Sequence, residues 1–113
     1  MITIDALRDF GADVDEGLKR CMNMEAFYLR LVGSLKGDTK VDELQAAIDR
    51  KDLDAAFDAA HGLKGVCANL ALTPLTVPIT EITELLRART DMDYSALMAE
   101  ITAQKAKLDA LLE

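Results

Sequence analysis

The chain has 113 residues, half of them hydrophobic but only 4% aromatic and none tryptophan, a length that holds one core and leaves no room for a second folded unit. A core drawn from Leu, Ile, Val, Ala and Met favours close helix packing over a β-sandwich. The net charge of −7 repels phosphate backbones and anionic lipid, and no stripe of Lys and Arg reverses that field, so nucleic acid and membranes are excluded as partners.

Met1 to Asp5 carries neither a basic region nor a long apolar run, and no stretch approaches the roughly 18 apolar residues of a membrane span, so a cytoplasmic location is expected. Ile4 to Phe10 is a short amphipathic stretch closed by Gly11, and Val14 to Met22 is a second brief helix, acidic at its start. Both read as an N-terminal cover. Asn23 is placed to cap the next helix, in which Met24, Phe27, Tyr28, Leu31, Val32 and Leu35 recur at helical spacing until Gly37 ends it. Thr39 to Asp42 has the form of a capping box, and Val41, Leu44, Ala47 and Ile48 give the following helix one apolar stripe as far as Arg50.

Asp52 can cap a helix from Leu53 to about Ala71, which carries the single histidine. Thr73 and Pro74 make a cap and first-turn pair ahead of Leu75, Ile79, Ile82, Leu85 and Leu86. Pro78 lies inside that pattern and predicts either a kink or a start later than Thr73. Asp91 or Asp93 opens the last helix, whose Leu97, Met98, Ile101, Leu108, Leu111 and Leu112 point inward. Together these elements imply an all-α fold: an antiparallel up-down four-helix bundle over 24–36, 39–50, 52–71 and 74–112, the last broken into a pair, with short N-terminal cover helices. A single domain over 1–113 and a monomer are expected. Cys21 and Cys67 lack metal-ligand spacing and read as free thiols, with Cys67 in the core.

Function is legible in the helix that holds His61. At roughly 100° per residue, Ala56, Ala60, Leu63, Cys67 and Leu70 share one side, while Asp54, Asp58, Gly65 and Ala68 lie near His61 on the other, bordered by Phe57 and Lys64. The imidazole therefore points away from the core. Gly62 and Gly65 each cost about 1 kcal/mol relative to Ala in a helix interior, and two such positions beside one histidine leave its flank open to another protein. Lys64 can reach over the same surface and offset the charge of a phosphoryl group.

The segment His61-Gly62-Leu63-Lys64-Gly65, followed by Ala68-Asn69-Leu70, resembles the H-x-L-K-G signature of histidine-containing phosphotransfer (HPt) domains. The resemblance extends from about Ile4 to Arg89 and takes in Asp52-Leu53 and Leu72-Thr73-Pro74-Leu75. It implies a four-helix bundle whose imidazole accepts phosphate from an aspartyl-phosphate, or from a partner histidine kinase, and passes it to another receiver domain. His61 matches the phosphorylated histidine, Lys64 the phosphate-facing lysine and Gly65 the glycine that clears space. A further polar side chain on the next helix corresponds to about Thr83, shorter than the usual glutamine, and Arg87 one turn on is the candidate substitute.

Transfer of this kind needs a neutral imidazole nitrogen, expected to be Nε2, and an in-line approach, with charge stabilisation by the partner's Mg2+ and lysine. The chain itself needs no cofactor. Its partners would be response-regulator receiver domains or a hybrid histidine kinase, docking on Gly62, Phe57, Asp58 and Ala68 around His61, with contributions from the preceding short helix. The phosphoacceptor helix of a histidine kinase fits less well, because Gly62 stands where an acidic residue is usual and Val66 where a proline is usual. No Gly-rich nucleotide motif is present, so a kinase activity of its own is not expected. A helical adaptor in which His61 is incidental is the alternative from a different class. Metal binding lacks a ligand set around the lone histidine. Asp54 and Asp58 read either as a solvated face or as contacts for basic groups of a partner.

Overall fold

The computed structural model describes residues 2–112 and folds them into seven α-helices, with no strand among the described residues. Met1 and Glu113, the ends of the expected domain, lie outside them. Helix α1 spans Ile4–Phe10, its start capped by the Thr3 hydroxyl, which accepts from Ala6 N at 3.1 Å. Gly11 ends it in the left-handed region at φ +107, a conformation that suits a residue without Cβ. Helix α2 spans Val14–Arg20 and is capped by Asp13, which accepts from Glu16 N at 3.2 Å.

Helix α3, Glu25–Gly33, departs from expectation at both ends. Asn23 does not cap it: Met22 and Asn23 both sit at φ +59, and Asn23 N donates to Leu18 O at 2.7 Å, closing α2 instead. A cap residue needs extended backbone, whereas Asn tolerates the left-handed turn required here. The core stripe is also narrower than the periodicity suggests. Tyr28, Val32 and Leu35 are buried, while Met24 and Phe27 face solvent.

Helix α4, Lys40–Asp49, has no capping box, since Thr39 makes no side-chain cap bond. Asp38 takes that role, accepting from Lys40 N at 2.8 Å and from Lys40 Nζ at 3.0 Å. Helix α5, Leu53–Asn69, is capped by Asp52 as expected, through Ala55 N at 3.1 Å. Helix α6, Thr73–Arg87, runs through Pro78 rather than beginning beyond it, and Thr73 is its first residue rather than its cap: Leu72 holds the cap position and no side chain caps the helix. Pro78 is buried beside Leu75, Ile79, Ile82 and Leu86, so burial of that face offsets the backbone hydrogen bond a proline cannot donate. Helix α7 spans Ser95–Leu111, and of the two candidate openers it is Asp93 that accepts from Ser95 N, at 2.9 Å. Its inward face holds Met98, Ile101 and Leu108 fully, with Leu97, Leu111 and Leu112 half-buried. Lys105 lies on that face too, its ammonium 2.7 Å and 3.0 Å from the Asp109 carboxylate oxygens.

Around one core, α5 lies between α4 and α6, α6 packs on α7, and α7 meets α4. Both cysteines are free and buried, and burial pushes the Cys67 thiol up to about 11, which disfavours the thiolate.

Helices α2 and α3 meet the end of α5 at one crowded point. The Tyr28 hydroxyl donates to Leu70 O at 2.9 Å, joining α3 to the end of α5, and Asp13 N donates to Ala71 O at 2.9 Å. Gly17 of α2 slides over this junction: a Cβ there would lie 2.5 Å from Tyr28 Cε1 and 2.9 Å from Leu70 O. Gly17→Ala should therefore destabilise the fold by about 1–3 kcal/mol. Urea denaturation followed by circular dichroism checks this; an unchanged midpoint would mean that α2 is not seated against Tyr28.

Candidate functional site

The orientation of α5 follows from its two neighbours. Ala56, Ala60, Leu63 and Cys67 are buried, as is Leu70 at the helix end, so the side expected to face the core does so. Asp54, Asp58, His61 and Gly65 are exposed on the opposite side, with Phe57, Gly62, Lys64 and Ala68 half-buried at its borders. The small residues Ala56 and Ala60 let neighbouring backbones come close while a charged and aromatic face is left to solvent.

Neither glycine beside the histidine is demanded by packing. A Cβ at Gly65 would meet nothing within 4 Å, and one at Gly62 would touch only Lys40 methylenes, at 3.9 Å and 4.0 Å. Their cost in helix propensity thus has no return within the isolated chain. On the Gly62 side, α4 and α5 form a groove lined by Lys40, Glu43, Arg50, Ala55, Asp58 and Ala59, among others.

On the other side, the His61 ring stacks on Phe57 with centroids 5.5 Å apart and planes 14° from parallel. Arg87 and Arg89 each hold a guanidinium 5.0 Å from the centre of the same phenyl ring, a placement that favours cation–π attraction. Arg89 Nε donates to Asp54 Oδ1 at 2.6 Å, and its Nη1 donates to Leu86 O at 2.6 Å. Arg87 Nε donates to Glu84 Oε2 at 3.0 Å. Lys64 does not stand unpaired beside the imidazole. It turns to α6, its ammonium 3.6 Å from Glu84 Oε1. Held by Arg87 above all and by Lys64, the Glu84 carboxyl lies below the usual carboxylate range.

Thr83, expected near the imidazole, is fully buried and donates through Oγ1 to Ile79 O at 2.6 Å. The next polar positions on α6, Glu84 and Arg87, reach the site instead. Two contributors were not apparent from sequence. Arg89 lies past α6 at φ +54, off the helical wheel. Glu84 is visible as an i,i+3 partner of Arg87, but its link to Lys64 crosses between helices. Among the described residues, no three His, Cys, Asp or Glu side chains gather to hold a metal ion, and no helix is long and apolar enough to cross a membrane.

A family model described as Hpt domain matches residues 30–113. The match begins within α3 and runs through α7, so it omits α1 and α2 and extends past Arg89, where the H-x-L-K-G resemblance had ended. No curated protein and no solved structure matches the chain.

Two outcomes test the geometry directly. Gly65→Ala should raise thermal stability, by up to about 1 kcal/mol, in contrast to the loss at Gly17; a destabilised Gly65→Ala would reveal a packing role for that glycine. Phe57→Leu should move the His61 ring-proton resonances downfield in NMR spectra, because the shielding of a stacked ring is lost. Unmoved resonances would dismiss the stack.

Proposed function

The chain belongs to the Hpt domain family, and from that membership we propose that His61 is its phosphoacceptor, taking a phosphoryl group from the aspartyl-phosphate of one receiver domain and passing it to another. Hpt domains serve histidine phosphotransfer in phosphorelays, where they meet receiver domains and histidine kinases; they are phosphocarriers, not kinases. One observation carries the assignment. His61 is the sole histidine of the sequence, and it is exposed inside the matched segment.

In the transfer, the lone pair of a neutral imidazole nitrogen, Nε2 by this reading, attacks phosphorus in line. The bond from phosphorus to the aspartyl oxygen breaks, its electron pair remains on the carboxylate, and a P–N bond forms. Onward transfer reverses these roles: the second receiver's carboxylate attacks, the P–N bond breaks, and the neutral imidazole is regenerated. This chain supplies the nucleophile and the face around it; a receiver domain's Mg2+ and lysine would offset the charge on the moving group.

Each neighbour has a physical task. Phe57 orients the imidazole by stacking, and Gly62 and Gly65 leave a flank that another backbone can approach. Lys64, Arg87 and Arg89 hold positive charge beside a group that brings roughly two negative charges. Asp58 and Ala68 extend the docking face. The supporting fold is read as an up-down four-helix bundle acting as a monomer. Its members are α4, α5, α6 and α7 rather than the expected 24–36, 39–50, 52–71 and 74–112, since α6 and α7 are separate helices and close a ring with α4 and α5.

Mixing the chain with receiver domains charged by acetyl phosphate should place on it a phosphate lost in acid and kept in base. His61→Gln should carry none. Labelling of that variant would move the acceptor elsewhere, and a wild-type chain that binds receivers without ever being labelled would favour the adaptor role. Replacing Gly65 with Leu should slow transfer while the fold persists, since the side chain would occupy the space a partner needs.

A further inference from the structure

Two cations from different helices converge on one carboxylate in the neighbourhood of His61. Glu84 of α6 places Oε1 3.6 Å from Lys64 Nζ on α5 and Oε2 3.0 Å from Arg87 Nε. Lys64 lies one helical turn beyond His61 on the same helix. Arg87 lies 5.0 Å over the Phe57 ring on which the imidazole stacks. The same two cations are therefore within the surroundings of any anion carried by the imidazole. Both ion pairs are open to water, with the Glu84 side chain 53% exposed and Lys64 32%, so they are weak and exchange at little cost.

We propose that Glu84 competes with the phosphoryl group for Lys64 and Arg87. It holds Lys64 and Arg87 while His61 is unmodified and yields one or both to the phosphoryl oxygens when His61 is modified. The inference rests on His61 being the phosphoacceptor. Glu84 touches no reacting atom and is a positioning residue. It acts on the balance between phosphohistidine and aspartyl-phosphate: its negative charge repels the phosphoryl group and draws on the cations that would stabilise it. A carrier with this arrangement binds its cargo less tightly and releases it more readily to the next receiver. No covalent bond changes in the exchange, only the partner of each cation.

The test is the partition of phosphate between the full chain and a receiver domain charged by acetyl phosphate, measured at equilibrium. Glu84→Gln keeps the size of the side chain and removes its charge. It should shift phosphate toward His61 by about two- to fivefold, the range of an exposed ion pair. The shift should shrink at high ionic strength, and it should diminish in a Lys64→Ala background, as expected when two residues act through one another. Glu100→Gln, an equal change of net charge on an exposed position of α7, should leave the partition unchanged. A Glu84→Gln partition equal to wild type, or a Glu100→Gln shift of the same size, overturns the inference while leaving the phosphoacceptor intact. A wild-type chain that takes no phosphate overturns both.

Discussion

Burial of one stripe on α5 sets the geometry on which the remainder of the site depends. Ala56, Ala60, Leu63, Cys67 and Leu70 are removed from water between α4 and α6, and that burial fixes the rotation of the helix about its axis. Once the rotation is fixed, His61 has no choice of side. Turning the helix to hide the imidazole would bring Asp54 and Asp58 toward the core, at the cost of burying two carboxylates and breaking the Asp54–Arg89 pair. The small side chains of the stripe matter as much as their apolarity, because Ala56 and Ala60 are completely buried without pushing neighbouring helices apart.

The charge distribution is the second constraint. The chain carries 20 acidic and 13 basic residues, yet Lys64, Arg87 and Arg89 gather near the imidazole, with Glu84 and Asp54 as their partners. The partners balance the cluster and direct it. Arg89 in particular is held by Asp54 and by the carbonyl of Leu86, which fixes its guanidinium over Phe57. One phenyl ring, Phe57, thus contacts the imidazole and both arginines.

The N-terminal helices obey a different logic. Helices α1 and α2 lie outside the family match, which starts at Arg30 within α3; α2 is attached by close approach of Gly17 to Tyr28 and the Leu70 carbonyl and by a hydrogen bond from Asp13 N to the Ala71 carbonyl. Those carbonyls belong to the turn between α5 and α6. Attachment there is at the far end of the histidine helix and leaves His61 exposed.

By itself the sequence determined the helices of the core, the inward face of α5, the exposure of His61 and the local motif around it, because all of these depend on periodicity and spacing within a single helix. Asp52 as a cap was legible for the same reason. Asn23 and Thr39 were not the caps they resemble, since competing turns and the neighbouring Asp38 met those backbone needs first. Thr83 illustrates the limit from the other side: its position was near the mark, but only packing decided that its hydroxyl would turn to Ile79 and the core. Tertiary structure alone brought Glu84 to Lys64, Arg89 to Asp54, and Gly17 to Tyr28. Each of these contacts joins residues on different elements, and its existence depends on how helices are set against one another, which no periodicity along the chain encodes.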